Sequence, residues 1–289
     1  MLVDPCALRE RMVRVRGLEL CVCEWGPEDG PLVLILHGWL DQGAAWNRVA
    51  MELAAAGYWV VAPDQRGHGR SAHTPAGTSY HFAEYLGDLD ALLVELDRPL
   101  QLLVGHSMGG TVASLYAGLR PEAVPRLVLV EGVGPPPETV ESAVDRMRTW
   151  LDHQKKDWNT RPMDSVGAAA ERLRRFNPGL STGDAMMLAE RSTCEKDGAV
   201  YWTWDPLHRS RSATAYDSAR HRACMSRITA TVRFIHGDQS WYMQIPDLEE
   251  RLASIPRLVE RVELTSGHAV HVDAPEALAQ ALQTAASEQ

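Results

Sequence analysis

The chain has 289 residues, 45% of them hydrophobic and 23% charged. That length allows one large domain or a core with an insert, and the composition excludes disordered, collagen-like and coiled-coil classes. The formal net charge of −9, with acidic residues spread along the chain, argues against nucleic acid as a partner, and no apolar run reaches the roughly 18 residues of a membrane helix.

The first residues, with Asp4 and no apolar stretch before the basic segment Arg9 to Arg16, show no secretory signal pattern. The five cysteines, Cys6, Cys21, Cys23, Cys194 and Cys224, form no C-x-x-C pair and are expected as free thiols. Both readings point to a reducing, cytoplasmic setting. Cys21 and Cys23 read as one face of a strand rather than a metal site. Val13 to Val15 and Leu18 to Cys23, separated by Arg16-Gly17, predict an antiparallel hairpin at a sheet edge. Leu32 to Leu36, Trp59 to Ala62, Leu102 to Gly105 and Leu127 to Val130 are short, nearly continuous apolar runs, as in parallel strands covered on both faces.

Helical spacing lies between these runs. It is read at Ala45 to Ala56, at Tyr80 to Asp97, where Phe82, Leu86, Leu89, Leu93 and Leu96 mark a buried face, and at Met108 to Leu119. Strand and helix alternate, so βαβ units and a largely parallel sheet are expected. From Gly134 to Arg227 the strand signal disappears, and residues 134–227 read as a helical cap inserted into a core made of 1–133 and 228–289. The insert opens on Pro135-Pro136-Pro137 and carries Trp150, Trp158, Trp202 and Trp204, expected to pack between its helices, with at least one facing a pocket. The core pattern then resumes with a strand at Val232 to His236, a helix at Asp247 to Ser254 and a strand at Val259 to Leu264. Asp273-Ala274-Pro275-Glu276 predicts the capped start of the last helix.

Gly105-His106-Ser107-Met108-Gly109 follows an apolar strand and opens a helix, the context of a G-x-S-x-G nucleophile elbow. A serine hydroxyl needs a base within hydrogen-bond reach, and the base needs an acidic partner to fix its tautomer. Of eleven histidines, His268 stands out because Gly267 lets the loop beyond the last predicted strand swing its ring toward the sheet. His271 reads as a structural residue of that loop or of the helix start. His37, His68 and His236 read as loop-shaping, and His106 is expected to point off the elbow. No clustered Cys/His set, H-E-x-x-H or phosphate-binding glycine loop is present, so no metal and no cofactor is implied.

The ordered set His37-Gly38-Trp39, Asp64-Gln65-Arg66-Gly67-His68-Gly69-Arg70-Ser71, Gly105-His106-Ser107-Met108-Gly109-Gly110 and Gly267-His268 resembles the α/β-hydrolase superfamily over nearly the whole chain. Asn177-Pro178-Gly179-Leu180-Ser181, Asp197-Gly198 and Trp202-Thr203-Trp204-Asp205 resemble its serine hydrolase-like group. The resemblance implies an α/β fold with a mostly parallel eight-stranded sheet, helices on both faces and an inserted helical cap. It also implies an oxyanion hole from the Trp39 and Met108 N–H groups.

Many members carry Gly-x-x-Asp after the strand ending here at His236, but Gly237-Asp238-Gln239-Ser240 puts Ser240 at that position. Glu131, at the tip of the strand after the nucleophile helix, is the favoured acid, as in some branches of the superfamily, and Asp238 is the alternative. A serine at 107 suits acyl transfer rather than the alkyl-enzyme chemistry of aspartate nucleophiles. The expected activity is hydrolysis of a carboxylic ester with a small to medium apolar acyl or aromatic group. Thioesters, lactones and C–C bonds beside a ketone, acyl transfer to an alcohol, and a non-catalytic ligand-binding role are the other readings.

Overall fold

A computed structural model describes residues 6–287. Strand β1 (Arg9–Val15) pairs antiparallel with β2 (Leu18–Trp25). Arg16 and Gly17 between them have φ values of 50° and 83°, the twist that a two-residue hairpin turn requires. Strand β3 (Leu32–Leu36), helix α1 (Asn47–Ala55), β4 (Trp59–Pro63), α2 (Phe82–Leu96), β5 (Leu100–His106), α3 (Met108–Leu119) and β6 (Arg126–Val130) then alternate as predicted. Helices α4 (Val140–His153), α5 (Val166–Phe176) and α6 (Thr182–Ser192) lead to β7 (Thr193–Lys196), β8 (Ala199–Trp202) and α7 (Ser218–Met225). The chain ends with β9 (Thr231–Gly237), α8 (Leu248–Ala253), β10 (Leu258–Leu264), α9 (Val270–Asp273) and α10 (Pro275–Ser287).

Eight strands form one sheet in the order β1-β2-β4-β3-β5-β6-β9-β10, with only the β1/β2 and β2/β4 pairs antiparallel. The central strands are buried on both faces because successive side chains point to opposite layers. Leu32, Leu34 and Leu36 join a core with Leu89 and Leu92 of α2 and Val112 of α3, while Val33 and Ile35 join one with Val49 and Leu53 of α1 and Leu278 and Leu282 of α10. Each such side chain contributes about 1.5–3 kcal/mol on burial.

Three sequence expectations change. The stretch 134–227 is not wholly helical, because β7 and β8 pair antiparallel around Asp197-Gly198, with φ values of 52° and 74°. Asp-Gly is a strong hairpin signal, masked here by helical spacing on either side. On α2 the buried face is Tyr85, Asp88, Leu89, Leu92 and Leu96; Leu86 and Leu93 are only half-buried. Apolar periodicity misses this face because it includes a carboxylate, which the buried Arg66 guanidinium meets with two 2.5 Å hydrogen bonds. Asp273, expected to cap the last helix, ends α9 instead and accepts from the Gly267 N–H at 2.9 Å, while Glu276 pairs with Arg48.

Parallel strands deliver their carboxyl ends to one edge. His37, Ser107, Glu131, Gly237 and the loop after β10 therefore meet there, where open α/β sheets bind ligands. Cys21, Cys23, Cys194 and Cys224 are free thiols. Among the described residues, no helix is long and apolar enough to cross a membrane.

Candidate active site

Ser107 joins β5 to α3 at φ 51° and ψ −113°, a region that costs a non-glycine residue on the order of 1–3 kcal/mol. The surroundings hold it there. Its N–H donates to the Val130 carbonyl at 3.0 Å and its carbonyl accepts from Thr111 N–H at 3.1 Å. The turn also needs close backbone approach: a Cβ at Gly105 would lie 2.5 Å from the Gly109 oxygen, and one at Gly109 would lie 2.2 Å from the Leu36 oxygen. The start of α3 is thereby pressed against the end of β3, which brings the segment His37-Gly38-Trp39 beside Ser107 and Met108.

His268 reaches the serine from the loop after β10. Its Nε2 lies 3.0 Å from Ser107 Oγ, and its Nδ1 lies 2.5 Å from Glu131 Oε2. Glu131 follows β6 at φ 49° and is fully buried. Its burial is compensated by donors: Gly237 N–H donates to Oε1 at 2.7 Å, and the Ser240 hydroxyl donates to Oε2. Hydrogen bonds to a buried carboxylate are what make its charge tolerable. Asp238 is elsewhere. It is exposed, and its Oδ1 accepts from Ser266 N–H at 3.0 Å, holding the loop together. The structure thus brings Ser107, His268 and Glu131 together and leaves Asp238 out.

The other histidines divide by their partners. His37 is buried; its Nε2 accepts from Gln65 N–H at 2.9 Å, and the Gln65 amide returns a bond to the His37 carbonyl at 2.7 Å. Asp64, at the end of β4, accepts from Gly43 and Arg70 N–H groups at 2.7 and 2.9 Å. Burial outweighs these bonds and pushes its carboxyl up to about 6. The Asp64 to Ser71 segment therefore braces the loop that carries Gly38 and Trp39. His106 does more than point away from the elbow. Its Nε2 donates to the His268 carbonyl at 2.9 Å, fixing the backbone of the loop whose side chain faces Ser107.

Two aromatic residues escaped the sequence reading. Trp241, half exposed, lies with its ring 5.0 Å from that of His268, and Tyr242 stacks on the same imidazole at 5.9 Å. Tyr242 is fixed by accepting from Val133 N–H at 2.6 Å and donating to the Gly134 carbonyl at 2.8 Å. The available signal was their place directly after Ser240, in the loop leaving β9. Trp39 is 54% exposed. The tryptophans of the 134–227 stretch, Trp150, Trp158, Trp202 and Trp204, are each half-buried.

A model of the α/β hydrolase fold family matches residues 31–275. The chain belongs to that family. Within it, this hydrolase falls in the serine hydrolase-like group: it is 30% identical over 264 residues to a serine hydrolase-like protein of Danio rerio, covering 88% of this chain and 81% of the relative. Epoxide hydrolase B of Mycobacterium tuberculosis is 37% identical over 114 residues, covering 39% of this chain and 32% of that protein. Among solved structures, a thioesterase domain from the curacin biosynthetic pathway superposes with a TM-score of 0.89 at 38% identity, covering 96% of this chain and 99% of that one. A hypothetical protein from Pseudomonas aeruginosa PAO1 superposes with a TM-score of 0.84 at 30% identity, covering 96% of this chain and 97% of its own.

Proposed function

We propose that this α/β hydrolase is a serine esterase that cleaves carboxylic esters through an acyl-enzyme. The observation that carries the reading is the hydrogen-bonded chain from Ser107 Oγ through His268 to Glu131. Ser107 Oγ attacks the substrate carbonyl carbon while His268 Nε2 takes its proton. The tetrahedral intermediate collapses as His268 returns that proton to the leaving alcohol, and the acyl group stays on Oγ. Water, deprotonated by the same nitrogen, then attacks the acyl carbonyl and releases the acid and the free serine. Glu131 holds the imidazole in the required tautomer and stabilises its charged form. The Trp39 and Met108 N–H groups meet the developing oxyanion, each such donor contributing about 2.7–4 kcal/mol to transition-state stabilisation.

Residues 134–227 act as the lid over this edge of a core formed by 1–133 and 228–289, and Trp39 and Trp241 give the entrance an apolar wall suited to a small or medium acyl or aromatic group. A serine at 107 cannot serve the epoxide chemistry that begins with a carboxylate nucleophile, so the partial similarity to an epoxide hydrolase is read as shared scaffold. A second reading, thioester cleavage by the same steps with a thiol leaving, is favoured by the 38% identity to a thioesterase domain.

The test is a panel of p-nitrophenyl esters of increasing acyl length beside matching acyl thioesters, with Ser107→Ala as control. Faster turnover of short and medium esters, lost in Ser107→Ala, is expected. A preference for the thioesters selects the second reading, and a folded protein inactive on both series overturns both.

A further inference from the structure

His106 and His271 lie beside the elbow with their rings 4.9 Å apart, and both are buried. Asp41, two residues beyond Trp39, completes a group whose ligand atoms all lie within 4.8 Å of one another. The His271 Nε2 is 3.1 Å from Asp41 Oδ2, and the His271 ring lies flat on Trp46 at 4.7 Å, which fixes its plane. His106 Nε2 must carry a hydrogen, because its partner is the His268 carbonyl. With the hydrogen on Nε2, Nδ1 is the ring nitrogen left to offer a lone pair. That buried nitrogen has no hydrogen-bond partner among the described residues, which leaves the loss of its hydration uncompensated. None of the three residues takes part in the proton transfers of the ester cleavage proposed above; His106 touches that machinery only by holding the His268 backbone.

Two imidazole nitrogens and a carboxylate suit a borderline dication such as zinc, with a fourth position left for water. Ligand bonds of about 2.0–2.1 Å around a tetrahedral zinc set donor atoms about 3.4 Å apart. The His271–Asp41 pair already stands close to that separation, at 3.1 Å. Closing the set asks the remaining atom to move by no more than about 1.5 Å, and Asp41, with 26% of its side chain exposed, sits where an ion can enter. We propose that Asp41, His106 and His271 form a transition-metal site whose occupancy inhibits the hydrolase. The bound ion would draw in Asp41, on the loop that presents Trp39, and His106, which holds the His268 backbone. Displacements near 1 Å at such positions cost about a hundredfold in rate. Sequence spacing alone did not reveal the group because its members come from the loop after β3, the end of β5 and helix α9.

The metal-binding claim stands on its own; the inhibition claim rests on the esterase reading. Chelator-stripped full-length protein is titrated with zinc in competition with a chromophoric chelator, and with cobalt to read coordination from its visible bands. One equivalent of zinc, with tetrahedral cobalt bands, is expected, weakened at least tenfold in Asp41→Asn and in His271→Gln and retained in His268→Ala. Asp41→Asn changes a partly exposed side chain and keeps the test valid if His271→Gln unfolds. The site is overturned by absence of binding at millimolar zinc, by unchanged binding in folded Asp41→Asn, or by loss of binding in His268→Ala, which would place the ion at His268. Stoichiometric zinc is expected to slow ester turnover at least tenfold in the parent but not in Asp41→Asn. Binding without any change in turnover overturns the inhibition, and a protein inactive before zinc is added fails the esterase reading while the titration still decides the site.

Discussion

Two neighbouring strands, β6 and β9, are each followed directly by a carboxylate, and the two have opposite surroundings. Glu131 is fully buried and takes hydrogen bonds from Gly237 N–H, Ser240 and His268. Asp238 faces solvent and accepts from Ser266 N–H. Position 240, where the superfamily resemblance would place the acid, holds a serine that donates to Glu131. In the triad proposed here, the role of acid falls to the site where a charge can be buried with enough donors and still reach the imidazole, and Ser240, at the position that lacks the carboxylate, donates to the one that has it.

Exchanging each carboxylate for its amide should separate the two positions by the widest margin. Glu131→Gln is expected to lower kcat by about 10⁴, the loss when a tautomer-fixing acid becomes an amide, with KM changed little and the fold retained by circular dichroism. Asp238→Asn is expected to stay within about twofold in kcat, since an amide oxygen still accepts from Ser266 N–H. The reverse pattern would transfer the role to Asp238. A smaller effect is expected for Ser240→Ala, which removes one donor to a charged group worth about 1.5–3 kcal/mol. It should lower kcat about threefold to tenfold and move the pH profile of kcat/KM, and an unchanged rate and profile would show that Gly237 N–H and His268 suffice.

The contrast between buried and solvated ionisable groups also sets the pH dependence of stability. An unfolded imidazole takes its proton near pH 6.5, whereas burial holds folded His208 and His221 down to about 4 and about 3. Between those values the unfolded chain binds more protons, so stability present above pH 6.5 is lost as pH falls through the window. Asp64 opposes this: raised by burial from 3.8 to about 6, it makes the folded state bind more protons and favours folding as pH falls. At about 1.4 kcal/mol per unit, the two histidines outweigh the single aspartate. The urea midpoint is expected to fall between pH 7 and pH 4.5, by a few kcal/mol of stability, and His208→Gln should flatten the fall. A midpoint that rises on acidification would contradict this assignment.

Much of this was legible in the sequence because the central strands report two buried faces directly. The runs Leu32 to Leu36 and Leu127 to Val130 have few alternative structures, and Ser107 and Glu131 inherit their places from the strands they follow. Local patterns failed where tertiary contacts decide. The Asp197-Gly198 hairpin is short and lies among helices, and Asp88 sits on a buried helix face only because Arg66 meets it. Asp273 was drawn from a helix cap to Gly267. His106 illustrates the same limit: its effect on His268 spans most of the chain and shows only once β5 and the loop after β10 are side by side.

Covalent labelling of the folded protein by a fluorophosphonate, with the labelled residue located by peptide mass spectrometry, tests whether Ser107 is the nucleophile activated by His268 and Glu131. A single adduct on Ser107 is expected, absent in Ser107→Ala and formed much more slowly in Glu131→Gln but not in Asp238→Asn. No adduct at all, or an adduct that persists in Ser107→Ala, would contradict it.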